Sequence, residues 1–241
     1  MKRLNVLLLS SFLALFACDT HEIGSSQTYS YPDVKVVGAM KDVMWKGELA
    51  GNIYIDTISD KTGLYGLGPQ SYLTGEIMIN NGISFLSKVT SDSTMSVERR
   101  SDVSAPFFVY THVTEWHETD LPKAIHTIQD LEAWIDGQTE NYKRPFAFKL
   151  TGQIIQASIH VQNLPEGTEV SSPDGAHQGQ TNFDLTDQSV EIVGFFSTEH
   201  KGIFTHHDSF LHMHLITSDE SEMGHLDELE IGNMKLYLPK W

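Results

Sequence analysis

Three histidines near the C-terminus have the residue type and the spacing of metal ligands. His212 and His214 are two positions apart, and His225 lies eleven positions after His214. Alternate side chains of a strand share one face, so the first two imidazoles would stand about 6–7 Å apart, close enough to bind one ion. A hairpin could bring His225 beside them, and three imidazoles with an open position are typical of a catalytic zinc site. The alternative is three exposed polar positions on a half-buried strand, because the chain contains 12 histidines.

The residues around these histidines favour a strand, a turn and a second strand. Leu211, Met213 and Leu215 alternate with the histidines and would point into a core. The stretch T-S-D-E-S-E-M-G then predicts a turn, with His225 at the start of the next strand.

The other histidines lack such spacing. His206 and His207 are adjacent, and adjacent side chains on a strand diverge, so we assign both to a loop. The remaining ones, including His177, have no partner at ligand spacing and are assigned to the surface or the core.

Short runs with a period of two dominate the chain, among them G-N-I-Y-I-D, G-E-I-M-I-N and F-L-H-M-H-L-I. The sequence predicts an α+β, β-rich fold. Residues 33–143 form an N-terminal mixed β-sheet part with one main helix, and residues 144–241 form an antiparallel, barrel-like β part that carries the metal site. The stretch N-N-G at 80–82 lies between two strand-like runs and predicts a hairpin turn.

The main helix is predicted over residues 127–137. Thr127 and Asp130 resemble a capping box, and Gly137 is in the position of a helix terminator. An apolar stripe at helical spacing favours packing against the core over a ligand surface; its residues are Ile128, Leu131, Trp134 and Ile135.

Acidic residues outnumber basic ones by 32 to 16, which gives a formal charge of −16. Such a surface repels the phosphates of nucleic acids and the headgroups of anionic lipids. We therefore expect no nucleic-acid partner, and a membrane association only through a lipid.

The first residues have the pattern of an export signal. Lys2 and Arg3 precede an apolar run too short to span a bilayer, and the run ends in L-F-A-C at Cys18, the one cysteine of the chain. A small residue before a lone cysteine resembles a bacterial lipobox, which predicts a signal peptide at 1–17, lipid on Cys18 and a tether over 18–32. The expected location is the periplasmic side of a membrane or the cell surface. The alternative is an ordinary signal peptide with a chance cysteine.

Several segments, in order, resemble the alpha-acetolactate decarboxylase family. The family's H-x-H, the eleven-residue step to G-H and a preceding I-V-G-F match His212 to His214, Gly224 with His225, and residues 192–195. The segments G-L-Y-G-L-G-P-Q-S-Y-L-T-G-E, A-P-F-F-V-Y-T-H-V and F-A-F-K-L-T-G are similar to further family patterns. The likeness extends over most of residues 35–238.

The resemblance implies two β-rich parts with Zn²⁺ held by the second, on His212, His214 and His225. It implies that Glu76 reaches in from the N-terminal part as a ligand or an acid/base; from the residues alone, Glu76 is an exposed charge beside a turn. The implied substrate is 2-acetolactate, a 2-hydroxy-3-oxo acid, whose loss of CO2 leaves an enediolate that a divalent cation stabilises and a carboxyl group protonates to acetoin. A homodimer is the expected assembly.

Two departures from the family pattern bear on activity. The family has an arginine in a T-R-T stretch that meets the substrate carboxylate, and the ungapped match places His160 there, with Lys149 and Lys143 as alternative cations. The family also has a C-terminal tail whose glutamate returns to the metal, and no counterpart is expected before Trp241. The second hypothesis is therefore a non-catalytic or differently specific zinc-binding exported lipoprotein on the same scaffold.

Overall fold

Two six-stranded sheets form the framework of residues 33–240, the part of the chain that this computed structural model describes. The first sheet has the order β1-β8-β3-β4-β5-β6 and the second has the order β11-β10-β12-β13-β14-β9, while β2 and β7 form a separate pair. The strands are β1 (Lys35–Val37), β2 (Ile53–Tyr54), β3 (Leu64–Pro69), β4 (Glu76–Asn80), β5 (Ile83–Ser91), β6 (Thr94–Arg99), β7 (Ser104–Ala105), β8 (Phe108–His112), β9 (Trp116–Asp120), β10 (Phe146–Val161), β11 (Thr181–Thr186), β12 (Ser189–Phe196), β13 (Leu211–Thr217) and β14 (Met223–Pro239). The helices are α1 (Met40–Lys46), α2 (Ile128–Gln138) and α3 (Pro173–Ala176).

The β-rich α+β class is confirmed, but the N-terminal sheet is not mixed. Within residues 33–240 the pairings between named strands are all antiparallel. Hairpins explain the difference, because strands that follow one another through short turns pair antiparallel. The predicted turn at 80–82 joins β4 to β5: Asn81 and Gly82 have φ values of 49° and 85°, as a two-residue type I′ turn requires.

The second sheet curls into the predicted barrel-like form. Its longest strands are β10 and β14, of 16 and 17 residues, and they pair with each other as well as with their other neighbours. The ring β10-β12-β13-β14 is thereby closed. Register shifts in the β10–β14 ladder accompany this curvature, as β-bulges do where a strand must bend.

The second sheet separates two apolar clusters. Phe146 and Phe148 of β10 face the cluster inside the second sheet, whereas Ala147 faces a cluster shared with the first sheet. That shared cluster includes Leu67 and Met78 from the first sheet. The two sheets therefore pack face to face through apolar side chains, and the site lies in this interface.

Two elements pack across the boundary that the sequence predicts between residues 143 and 144. Strand β9 pairs with β14, and Leu131 and Ile135 of α2 are fully buried in the cluster inside the second sheet. Both elements precede residue 143 but belong with the C-terminal sheet. The apolar stripe of α2 packs against the core inside that sheet, and β9 extends the sheet beyond β14. Helix α2 also continues to Gln138, so Gly137 lies inside it and Thr139 follows as the cap.

The predicted signal peptide, Cys18 and the tether over 18–32 lie outside the described residues. Within residues 33–240 no helix is long and apolar enough to cross a bilayer.

The N-terminal cap of α2 yields a stability prediction. The Thr127 hydroxyl accepts a hydrogen bond from the Asp130 amide at 3.1 Å, and the Asp130 carboxylate accepts one from the Thr127 amide at 3.0 Å. Thr127→Ala should lower the free energy of unfolding by about 1 kcal/mol, measured by denaturant titration, because one helix donor loses its partner. Thr127→Ser keeps the hydroxyl and is the control; equal stability of the two variants would contradict the capping role.

Candidate metal centre

The predicted hairpin brings the three histidines together. His212 and His214 lie on β13, His225 lies on β14, and His214 and His225 are direct cross-strand partners. One ring nitrogen from each histidine lies within 4.8 Å of the other two. Leu211, Met213 and Leu215 point into the cluster inside the second sheet, as the alternation predicts.

The three imidazoles are buried, which contradicts the alternative of exposed polar positions. His212, His214 and His225 are 2%, 0% and 8% exposed. Nδ1 of His212 and both ring nitrogens of His214 have no hydrogen-bond partner among the described residues. Buried polar atoms are normally paired, so three converging imidazoles, two of them with unpaired nitrogens, fit a metal ion with nitrogen ligands.

The protonation of these histidines suits metal binding. Burial lowers the pKa of His212 to about 3, and the nearby His206 and His160 contribute to this lowering. Burial also lowers the pKa values of His214 and His225 well below the usual range, and neighbouring histidines add to the effect. The neutral imidazole is the form that ligates a metal.

Gly224 in the G-H pair has a packing role. A Cβ atom at this position would lie 2.5 Å from the His160 carbonyl oxygen on β10. The absence of a side chain therefore lets β14 approach β10 where the next residue, His225, enters the site.

Glu76 is the contribution of the first sheet. It begins β4, is 2% exposed, and its Oε2 lies 3.7 Å from Nε2 of His214. The Gln162 backbone amide donates to its Oε1 at 3.4 Å. Burial raises the pKa of Glu76 well above its usual range, and the Gln162 amide opposes this effect. The carboxyl group thus lies inside the site and is not an exposed charge beside a turn.

His160 also reaches the site, but both of its ring nitrogens face protein groups. Its ring lies 4.7 Å from that of His225, its Nδ1 lies 2.7 Å from Oδ2 of Asp227, and its Nε2 lies 3.4 Å from the side-chain nitrogen of Gln162. The role predicted for His160, contact with a substrate carboxylate, therefore competes with these two contacts. That role stays a prediction.

Asp227 owes its position to a β-bulge. In the β10–β14 ladder, Ser158 pairs with Glu228 and Ile159 pairs with Leu226, so Asp227 is the extra residue between them. It was not among the residues predicted from the sequence, although its spacing of two from His225 on one strand was the available signal.

Loops supply three further residues that the sequence did not indicate. The His206 ring lies 5.2 Å from that of His225, and His177 and Gln162 line the same cavity. Burial lowers the pKa values of His177 and His206. No spacing in the sequence could reveal them, because the loops after β10 and after β12 meet the site only through the tertiary fold.

A small cavity lies beside the histidines and a larger groove lies outside them. The cavity has a volume of about 30 Å³, and its apolar wall is formed by Met40, Met44, Leu73 and Phe107. The groove, of about 220 Å³, borders His206, His225 and Asp227. Neither has a Lys or Arg among the described residues that line it.

The alternative cations lie elsewhere. Lys149 is held among the rings of Tyr65, Trp116 and Tyr237, with Nζ 5.0–5.6 Å from their centroids. Lys143 lies 3.4 Å from the Asp33 carboxylate on the surface. Neither replaces the arginine of the family pattern within the cavity.

Removal of one ligand tests the metal centre. His212→Ala and His225→Ala should each lower zinc affinity by more than the roughly 10- to 100-fold that loss of an outer-shell partner costs, because two imidazoles remain. Zinc per chain is measured by elemental analysis after dialysis. The exposed His117→Ala is the control; full zinc in either ligand variant would show that the site is misplaced.

Gly224 yields a second test of the same geometry. Gly224→Ala should destabilise the protein by about 1–3 kcal/mol, because its methyl group would press on the β10 backbone. Zinc affinity should fall as well, since His225 would move. At Gly137 an added methyl group would meet nothing within 4 Å, so Gly137→Ala is the control and should stabilise by about 0.5–1 kcal/mol. A Gly224→Ala protein with native stability and zinc would refute the packing argument.

Comparison with known proteins identifies the family of this chain. The alpha-acetolactate decarboxylase family model matches residues 37–240. A relative, the alpha-acetolactate decarboxylase of Brevibacillus brevis, is 25% identical over 240 residues, which cover 93% of this chain and 80% of that protein.

Two solved structures share the fold. The alpha-acetolactate decarboxylase of Bacillus subtilis strain 168 is 21% identical, with a TM-score of 0.69 over 86% of each chain. A Staphylococcus aureus protein described as similar to alpha-acetolactate decarboxylase is 16% identical, with a TM-score of 0.71 over 86% of this chain and 85% of that one. With its family match over residues 37–240, the chain belongs to the alpha-acetolactate decarboxylase family of carboxy-lyases.

Proposed function

We propose that this protein decarboxylates 2-acetolactate to acetoin with a zinc ion held by His212, His214 and His225. The observation that carries the proposal is the burial of these three imidazoles against the carboxyl group of Glu76, which comes from the other sheet. Family membership supports the reaction, and the nitrogen donor set supports zinc.

Zinc in this position would supply Lewis-acid stabilisation for the charge that develops on the ketone oxygen as CO2 leaves. The protein scaffold contributes rigid placement of the ligands. All three lie on the closed ring of the second sheet, two of them as direct cross-strand partners, so little reorganisation is needed when the substrate binds.

Glu76 is the proton donor in this proposal. Its carboxyl group lies in the interface beside His214, and its raised pKa favours the protonated form. When the bond between the carboxylate carbon and C2 breaks, the electron pair passes toward the ketone. A proton delivered by Glu76 to C2 then gives acetoin, and Glu76 regains a proton from water.

The cavity wall contributes by excluding water. Met40, Met44, Leu73 and Phe107 face the reacting groups with apolar atoms. A cavity of about 30 Å³ holds one or two waters, so the substrate must displace part of this wall. The two methionines are flexible side chains suited to such an adjustment.

The second candidate is a metal-binding protein of the same fold that is non-catalytic or acts on another substrate. The observation that favours it is the lack of Lys or Arg among the described residues that line the cavity. The ungapped match to the family pattern predicts His160 at the position of the arginine. Export and lipid attachment at Cys18, and assembly as a homodimer, stay predictions from the sequence.

The acetoin assay decides between the two candidates. Zinc-loaded protein should form acetoin from 2-acetolactate, and Glu76→Gln should reduce the rate by about 10²- to 10⁴-fold while zinc is retained, because the amide cannot deliver a proton. The exposed Glu140→Gln is the control. Wild-type protein that makes no acetoin above background with full zinc would favour the second candidate, and an active Glu76→Gln would exclude the carboxyl group as the donor.

A further inference from the structure

Gln162 is a buried amide at the centre of the polar network around the cavity. It follows β10 directly, is 5% exposed, and lines the cavity. Its backbone amide donates to Glu76, and its side-chain nitrogen lies 3.4 Å from Nε2 of His160 and 3.3 Å from Oε1 of Gln180. One hydrogen of the side-chain amide therefore has an acceptor on Gln180, and the same nitrogen faces His160.

The partners of Gln162 fix which way the amide points. Asp227 accepts a hydrogen bond from Nδ1 of His160 and holds the ring so that its Nε2 lies 3.4 Å from the side-chain nitrogen of Gln162. Gln180 uses its own NH2 group on Asn182, which leaves its carbonyl oxygen for Gln162. The two contacts agree on one orientation of the Gln162 amide.

In this orientation the carbonyl oxygen of Gln162 has no hydrogen-bond partner within residues 33–240. Oε1 is buried and has no hydrogen-bond donor among the described residues. A buried acceptor without a donor is unfavourable, so a donor on a bound molecule would stabilise it. The side chain lines the cavity, so a ligand there is the natural source of the missing donor.

We infer that Gln162 binds the hydroxyl group of the substrate through Oε1, and that Asp227 is a positioning residue that orients the Gln162 amide through His160. The inference rests on the proposed function and adds to it a determinant of specificity. An acceptor at this position selects a ketone that carries a neighbouring hydroxyl donor. A diketone or an ether of similar size offers no hydrogen to Oε1 and binds less well.

Calorimetric titration of zinc-loaded protein with acetoin and with butane-2,3-dione tests this inference without any turnover. Gln162→Met keeps the length of the side chain and removes the acceptor. It should weaken acetoin binding by about 3- to 10-fold, the range for one hydrogen bond, and leave the affinity for the dione unchanged. The exposed Gln156→Met, on β10, is the control and should change neither affinity.

A second measurement needs no variant. Wild-type protein should bind acetoin more tightly than 3-methoxybutan-2-one, which keeps the oxygen but lacks the hydrogen. Equal binding of the two ligands, equal losses for acetoin and the dione in Gln162→Met, or no acetoin binding by zinc-loaded wild type would each overturn the inference. Acetoin production by wild type is scored separately, so an inactive protein with Gln162-dependent acetoin binding would refute the proposed activity alone.

The role of Asp227 has its own readout. Asp227→Leu removes the acceptor for Nδ1 of His160, so the imidazole and the amide of Gln162 lose their fixed orientation. Acetoin binding should then weaken by a smaller factor than in Gln162→Met, while the dione is unaffected and the double variant is no weaker than Gln162→Met alone. Additive losses in the double variant would show that Asp227 does not act through Gln162.

Discussion

The pairing of β13 with β14 is the constraint on which the site depends. Direct opposition of His214 and His225 makes two ligands neighbours, and the strand period adds His212 on the same face. A register slip of one residue would turn all the histidines of one strand to the opposite face. The apolar residues between the histidines hold the register, because the same slip would turn the histidines of that strand into the apolar cluster inside the second sheet.

The interface between the sheets adds Glu76 to the three histidines that the hairpin brings together. Apolar side chains of both sheets bury each other around the polar site, and this packing places the Glu76 carboxyl group beside a histidine from the second sheet. Burial lowers the pKa of the histidine and raises the pKa of Glu76. It favours the neutral imidazole and the protonated carboxyl group, the forms that the proposed metal binding and proton delivery would use.

The sequence predicted the features that depend on local spacing. The strand period, the turn at 80–82 and the capping box of α2 are short-range patterns, and the histidine hairpin follows from them. Glu76 needed the family resemblance, because its burial arises from contact with the other sheet. The position of Asp227 depends on a bulge, and that of Gln162 depends on a network of side chains. The packing of α2 depends on contact with the core inside the second sheet. Such features are set by the tertiary fold and leave little trace in local sequence.

The cavity has two walls of different origin. One consists of ligands on a closed ring of strands, and the other includes Met40 and Met44 of the short helix α1. Substitutions in α1 do not alter any strand pairing of the ring. Substitutions in this one seven-residue helix can therefore reshape the apolar wall while the histidines on the opposite wall keep their positions.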